Sequence, residues 1–320
     1  MKRKHALLLL ALAAALPAAQ AQTGKWPEKP VRVIVPMVAG STSDVLARTF
    51  TSRLADEYGQ PFVVDNRSGA GGSIGAEIAA RARPDGYTVL YVPSSYAANP
   101  AFYDLPYDPV KGVAPIGLIL TVPFILVVQP SLAATNLKEF IELSRARPGA
   151  LNFGSAGVGS SPHLAGELFQ QMTGIKWLHV PYKGDPPLVA DLIGGQIQIA
   201  IITAVLAGPQ IKAGKMRALA VTTAQRSPIM PDLPVISDLV PGYAVDGWGG
   251  LLAPAGTPRE IVVRVNQSIV RILKLPEVLE RLNAIGAQPA HTTPEEFALK
   301  IAREIAMWSK VVKTADITLN

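Results

Sequence analysis

The chain has 320 residues, of which 49% are hydrophobic and 17% are charged, with 27 glycines and 28 prolines spread along its length. This composition is typical of a globular protein and excludes disordered, collagen-like and coiled-coil classes, and the length favours two domains. The chain contains no cysteine. Disulfide frameworks, thiolate zinc sites, iron–sulfur clusters and cysteine nucleophiles are therefore excluded.

Residues 1–21 predict a secretory signal peptide. Basic residues at 2–4 precede an apolar run at 6–16, and small residues follow as far as Ala21. The run is shorter than the roughly 20 apolar residues that a membrane-spanning helix needs. We expect cleavage after Ala21, which lowers the formal net charge from +6 to +3. With no run of lysine and arginine, the mature chain lacks the features of a nucleic-acid-binding protein.

The pattern from Val31 onward is strand, small-residue loop and helix, repeated in two series. The first series predicts strands at 31–35, 62–64 and 88–92 and helices at 46–58 and 74–83. The second predicts helices at 137–147, 163–172, 187–193 and 204–213 and strands at 151–154, 177–180, 197–202 and 217–222. Residues 116–128 are interpreted as strands that leave the first domain, and long helices are expected at 258–273 and 294–314. Repeated βαβ units predict an α/β fold with mostly parallel sheets.

Motifs for catalysis, metal binding and cofactor binding are incomplete. The nucleophile elbow G-x-S-x-G fails around Ser155, because Phe153 stands where the first glycine is required. The three histidines of the mature chain have neither ligand spacing nor a paired carboxylate motif. The dinucleotide fingerprint G-x-G-x-x-G fails at Ile74. We therefore expect no enzyme, no metal and no cofactor.

Loops rich in serine and glycine stand between strands and helix starts at 39–43, 94–95 and 155–161. Free backbone N–H groups and the positive end of a helix dipole suit a carboxylate at such places. The alternative for each loop is helix capping, since Ser41 and Asp44 form a capping box. Because equivalent loops occur in both series, we expect a ligand held between two α/β lobes.

Six segments, taken in order, are similar to a known family. They lie at 26–36, 66–72, 84–88, 155–167, 179–184 and 253–258, and span nearly all of the mature chain. Together they resemble the Bug family of extracytoplasmic receptors, the solute-binding subunits of tripartite tricarboxylate transporters.

The resemblance implies a type II-like periplasmic binding protein with two lobes joined by two crossing strands. Lobe one comprises 22–122 with 225–320, and lobe two comprises 123–224. Each lobe has a mostly parallel sheet flanked by helices, and the ligand lies in the cleft between them. Family ligands are dicarboxylates, acidic amino acids, citrate-like acids and aromatic monocarboxylates. The expected partners are integral membrane transporter subunits, and the expected state is a monomer.

Carried over by position, the resemblance predicts ligand-binding residues on loops of both lobes. These are Met37, Ser41, Thr42, Asp44, Ser94 and Ser95 in lobe one, and Ser155, Gly157, Val158, Ser160, Ser161 and Thr203 in lobe two. Two departures from the family pattern bear on the pocket. Gly40-Ser41 replaces the usual Gly-Gly, and Ile201-Ile202 replaces a frequent Phe-Asp pair. The missing acidic residue favours a carboxylate ligand without an amine. An exported ligand sensor for signalling and, less favoured, a serine hydrolase are the alternative functions.

Overall fold

The computed structural model describes residues 26–315, so the predicted signal peptide lies outside the described residues. The first part of the chain forms β1 (Val31–Val35), α1 (Thr42–Tyr58), β2 (Phe62–Asn66), α2 (Ser73–Ala80), β3 (Thr88–Pro93) and β4 (Val113–Val128). Then follow α3 (Leu137–Ala146), β5 (Asn152–Ser155), α4 (Ser161–Thr173), β6 (Leu178–Pro181), α5 (Asp185–Gly194), β7 (Ile199–Thr203), α6 (Ala204–Lys212) and β8 (Arg217–Val221). The last part contains β9 (Asp246–Pro254), α7 (Arg259–Ile272), α8 (Pro276–Ala284), β10 (Gln288–Pro289) and α9 (Pro294–Ala315).

The strands divide into two groups that β4 joins. In lobe one, β1 pairs in parallel with β2 and β3, and β9 lies antiparallel between β3 and β4. In lobe two, β5 pairs in parallel with β6 and β7, while β4 runs antiparallel to β7 and β8. The strand order is β2-β1-β3-β9-β4-β7-β5-β6. The predicted α/β architecture with two lobes is confirmed.

Helix α1 shows how the sequence pattern sets the packing of a lobe. Leu46, Phe50 and Leu54 recur at four-residue spacing and are almost fully buried. They lie on one side of the helix, because a helix turn has 3.6 residues. The helix begins at the N-cap Ser41 and ends at Gly59, which adopts a left-handed conformation. The loop before α1 is therefore held at the end of β1.

Strand β4 crosses from lobe one to lobe two. Its first half pairs with β9, and residues 124–128 pair with β7 and β8. The sequence pattern predicted more than one strand over residues 116–128. The structure instead has one strand of 16 residues, whose register against β9 shifts twice near its start. Proline is tolerated where the pairing is irregular.

Residues 225–245 connect β8 to β9. Residues 225–245 pack on lobe two, where the Tyr243 hydroxyl donates to the Ala165 carbonyl at 2.9 Å. Thr222 donates through its side chain to the Val245 carbonyl at 2.6 Å. Ile236, Val240 and Tyr243 are buried in the same hydrophobic cluster as Phe169 and Trp177 of lobe two.

Strand β9, which sequence analysis missed, lies in the middle of the sheet although it contains three glycines. A β-carbon at Gly249 would overlap the Tyr91 hydroxyl, and one at Gly250 would overlap the Phe297 ring. The glycines are therefore required by close aromatic packing and do not mark a loop. Within 26–315, no helix combines the length and the apolar character needed to span a membrane.

Candidate ligand-binding cleft

Four α-helices begin at a cavity between the lobes. Thr42 and Ser43 open α1, Ser161 opens α4 after its N-cap Ser160, and Asp185 opens α5. Thr203, the residue before α6, also lines the cavity. The N–H groups of a first helical turn have no partner within the helix, and the helix dipole places partial positive charge there. The cavity, of about 80 Å³, therefore attracts negative charge without a basic side chain.

Hydroxyl groups from the two lobes meet across the cleft. The Thr42 and Thr203 hydroxyl oxygens lie 2.7 Å apart, and those of Ser94 and Ser161 lie 2.8 Å apart. These residues are separated by 161 and 67 positions in the sequence. The structure is a closed arrangement in which both lobes contribute to the cavity wall.

Ser95 supplies a hydroxyl without a partner. The residue lines the cavity and is only 3% exposed, and its Oγ makes no hydrogen bond to another described group. A buried hydroxyl without a hydrogen bond costs about 1–3 kcal/mol. Such a group in a cavity wall indicates that a ligand or ordered water accepts or donates its missing bond.

The charge in the cavity wall comes from Asp185. No lysine, arginine or histidine of residues 26–315 lines the cavity. Asp185 Oδ2 accepts a hydrogen bond from the Thr42 backbone N–H at 3.3 Å, which joins the starts of α5 and α1. Desolvation raises the pKa of the Asp185 carboxyl, while the hydrogen bonds from Thr42 oppose that change.

The remaining wall is apolar. Its large side chains are those of Leu46, Tyr91, Phe124 and Trp248. The Trp248 indole N–H donates to Glu304 at 2.8 Å, and Lys300 lies 5.5 Å from the centre of its ring. Trp248 is thereby fixed from α9, and the cavity can bury a carbon skeleton beside its hydroxyl groups.

The structure brings seven of the predicted site residues to the cavity wall. They are Met37, Thr42, Ser94, Ser95, Ser160, Ser161 and Thr203.

The other five predicted residues lie behind the wall. Ser41 accepts from Asp44 N–H as the N-cap of α1, and Asp44 pairs with Arg48 at 2.9 Å. Gly157 and Val158 form the loop before α4, where the Val158 carbonyl accepts a bond from Tyr103 at 3.4 Å. Ser155 Oγ lies 2.7 Å from His179 Nε2. In this closed structure these residues support the loops and do not line the cavity.

Sequence reasoning missed Ser43, Asp185 and, apart from Met37, the apolar residues of the wall. A signal for Asp185 exists, because it follows β6 and opens α5 as the predicted loops open α1 and α4. Ile201 and Ile202 are fully buried in β7 and do not line the cavity. Asp185 therefore supplies an acidic group in the cavity wall at a different position from the missing Phe-Asp pair.

Ser155 and His163, which are buried, form a cluster with the half-buried His179 beside the cavity. The two imidazole rings stack with centroids 4.1 Å apart, and burial lowers the pKa of His163 to about 3 and of His179 to about 4. Ser155 is fully buried, and no described aspartate or glutamate hydrogen-bonds to His179. Glu167 lies 3.7 Å from His163 Nε2 and is not bonded to His179. The Ser155–His179 pair therefore lacks the orienting acid and the exposed nucleophile of a serine hydrolase.

Comparison with known proteins assigns the family. Residues 46–317 match the model of the tripartite tricarboxylate transporter family receptor. The chain belongs to this receptor family. Protein BugT of Bordetella pertussis is 36% identical over 323 residues, covering 100% of this chain and 99% of BugT. The resemblance inferred from the six sequence segments is confirmed.

Solved structures of similar proteins agree with this receptor fold. An R. palustris protein with adipate, Rpa4515, is 40% identical, with a TM-score of 0.88 over 92% of this chain and 99% of that chain. The periplasmic binding protein BugD is 33% identical, with a TM-score of 0.87 over 92% and 99% of the two chains. The family and these neighbours are solute-binding proteins.

Proposed function

We propose that this receptor binds a small organic carboxylate in the periplasm and delivers it to an integral membrane transporter. The observation that carries the proposal is the unpaired, buried Ser95 hydroxyl in a cavity where four helices begin. A carboxylate completes the bonding of Ser95 and neutralises the partial positive charge of the helix starts.

Backbone N–H groups and hydroxyls suit a receptor that must release its ligand. Each hydrogen bond to a charged group contributes about 1.5–3 kcal/mol. A basic side chain would add charge attraction to these bonds and hold the anion more tightly in a buried site. Ser95, Ser160 and Ser161 are the residues we assign to the carboxylate, and the adipate in the similar R. palustris structure supports this ligand chemistry.

We also propose how the chain is processed, where it is located and in which oligomeric state it acts. The mature protein begins at Gln22, is periplasmic, and acts as a monomer with lobe two extending from residue 123 to about 245. Mass spectrometry of protein from the periplasmic fraction tests the cleavage site. Size-exclusion chromatography with light scattering tests the monomer, and co-purification with transporter subunits in the presence and absence of ligand tests the partner.

Binding is tested by calorimetry and thermal shift on the mature chain. The panel pairs each carboxylate with its neutral amide, for example adipate with adipamide and hexanoate with hexanamide. We expect at least one carboxylate to bind and to raise the melting temperature, while its amide does neither. Equal binding of amide and acid, or hydrolysis of an ester in place of binding, would overturn the proposal.

A further inference from the structure

Asp185 lines the cavity that we assign to the ligand. It is the one charged side chain among the described residues of the cavity wall. One carboxylate oxygen, Oδ2, accepts the Thr42 N–H at 3.3 Å. A carboxylate has about four acceptor positions. Because Asp185 borders the cavity, the positions that Thr42 leaves unused are available to a ligand.

The cavity wall therefore contains two chemically different groups of residues. The serine group, consisting of Ser94, Ser95, Ser160 and Ser161, offers hydroxyl donors. The Asp185 group, consisting of Thr42, Asp185 and Thr203, offers a carboxylate already bound to the start of α1. A ligand carboxylate fits the first group, whereas like charge disfavours it at the second.

On the basis of the proposed function, we propose that Asp185 determines which carboxylates bind. It selects carboxylates that carry a second group able to donate a hydrogen bond, either an ammonium or a hydroxyl. The ligand carboxylate is held by the serine group, and the donor is held by Asp185. A dicarboxylate of equal length places a second negative charge beside Asp185. At a separation of about 6 Å and an effective dielectric near 20, this repulsion corresponds to about a hundredfold loss of affinity.

Burial supports this role. Asp185 is partly buried at the junction of two lobes, and Thr42 provides its hydrogen bonds. A buried carboxylate gains from an added donor, and most from a cationic one, because pairing offsets the cost of desolvation. If Asp185 only joined α5 to α1, its substitution would weaken the binding of all ligands equally. A change in the preference between ligands therefore distinguishes a specificity role from a structural role.

The experiment is calorimetry of the mature chain with matched linear ligands. The six-carbon set is adipate, 6-aminohexanoate, 6-hydroxyhexanoate and hexanoate, and the four-carbon set is succinate, 4-aminobutanoate, 4-hydroxybutanoate and butanoate. The variants are Asp185→Asn and Asp185→Ser. Asp191→Asn is the control on the same helix, because Asp191 accepts a bond from Tyr182 at 2.7 Å and does not line the cavity.

We expect the wild type to prefer the amino or hydroxy acid to the diacid of the same length by at least tenfold. Asp185→Asn and Asp185→Ser should reduce that preference by at least tenfold, and Asp191→Asn should leave it unchanged. A wild-type preference for the diacid, or equal losses for every ligand in the Asp185 variants, would overturn the assignment. If no carboxylate of either set binds to the wild type or the variants, the proposed function fails as well.

Discussion

The unpaired hydroxyl of Ser95 permits a prediction in which affinity and stability respond differently. In Ser95→Ala the ligand loses one hydrogen bond to its carboxylate, which contributes about 1.5–3 kcal/mol. Affinity should fall by about 10- to 150-fold. The unliganded protein loses a hydroxyl that has no partner and is 3% exposed. Its melting temperature should therefore stay the same or rise, since removing an unsatisfied polar group relieves a cost of about 1–3 kcal/mol.

Ser144→Ala is the matched control. Ser144 is fully buried and accepts the indole N–H of Trp177 at 3.3 Å, away from the cavity. Its removal leaves that N–H without a partner, so the melting temperature should fall while affinity is retained. Calorimetry with the best carboxylate and thermal unfolding without ligand measure the two quantities. If Ser95→Ala binds like wild type, the reasoning that assigns its hydroxyl to the ligand is refuted.

Three further predictions concern charge, closure and pH. Ser160→Asp should keep the N-cap of α4 and the melting temperature, yet weaken carboxylate binding by more than a hundredfold. The reason is that two charges about 4 Å apart repel by roughly 4 kcal/mol at an effective dielectric near 20. Ser131→Ala, at an exposed position, is the control. Unchanged calorimetric affinity of Ser160→Asp would refute the assignment of this loop to the ligand. Thr203→Val removes the 2.7 Å hydroxyl contact with Thr42. Carboxylate binding should weaken by about 2- to 12-fold, since a neutral hydrogen bond contributes about 0.5–1.5 kcal/mol. Unchanged affinity would show that this contact does not support closure of the two lobes. Burial lowers the pKa of His163 to about 3, so this imidazole binds a proton less readily in the folded state than in the unfolded state. The contribution of neutral His163 to stability should therefore be present above pH 6.5 and be lost as the pH falls to about 3. Thermal unfolding of wild type and His163→Gln across this range should show a steeper loss in the wild type, and parallel curves would contradict it.

The βα units could be predicted because their signals are local. Apolar residues four apart predicted α1, and glycine or capping residues marked its ends. The serine-rich loops were found for the same reason, since a strand followed by small residues and a helix start appears within a short window of sequence. Seven of the twelve predicted site residues line the cavity. The occurrence of equivalent loops in both series indicated a ligand between two lobes, and the family resemblance supplied the individual site residues.

Tertiary structure decided which side chains face the ligand. Ser94 bonds to Ser161, 67 positions away, whereas the adjacent Ser95 lines the cavity without a partner among the described residues. Asp185 reaches the cavity because the start of α5 meets Thr42, 143 positions away. The glycines of β9 lie in a strand because Tyr91 and Phe297 occupy the space of their missing side chains. Each result depends on contacts between distant segments, and hydrophobic periodicity along the chain carries no information about them.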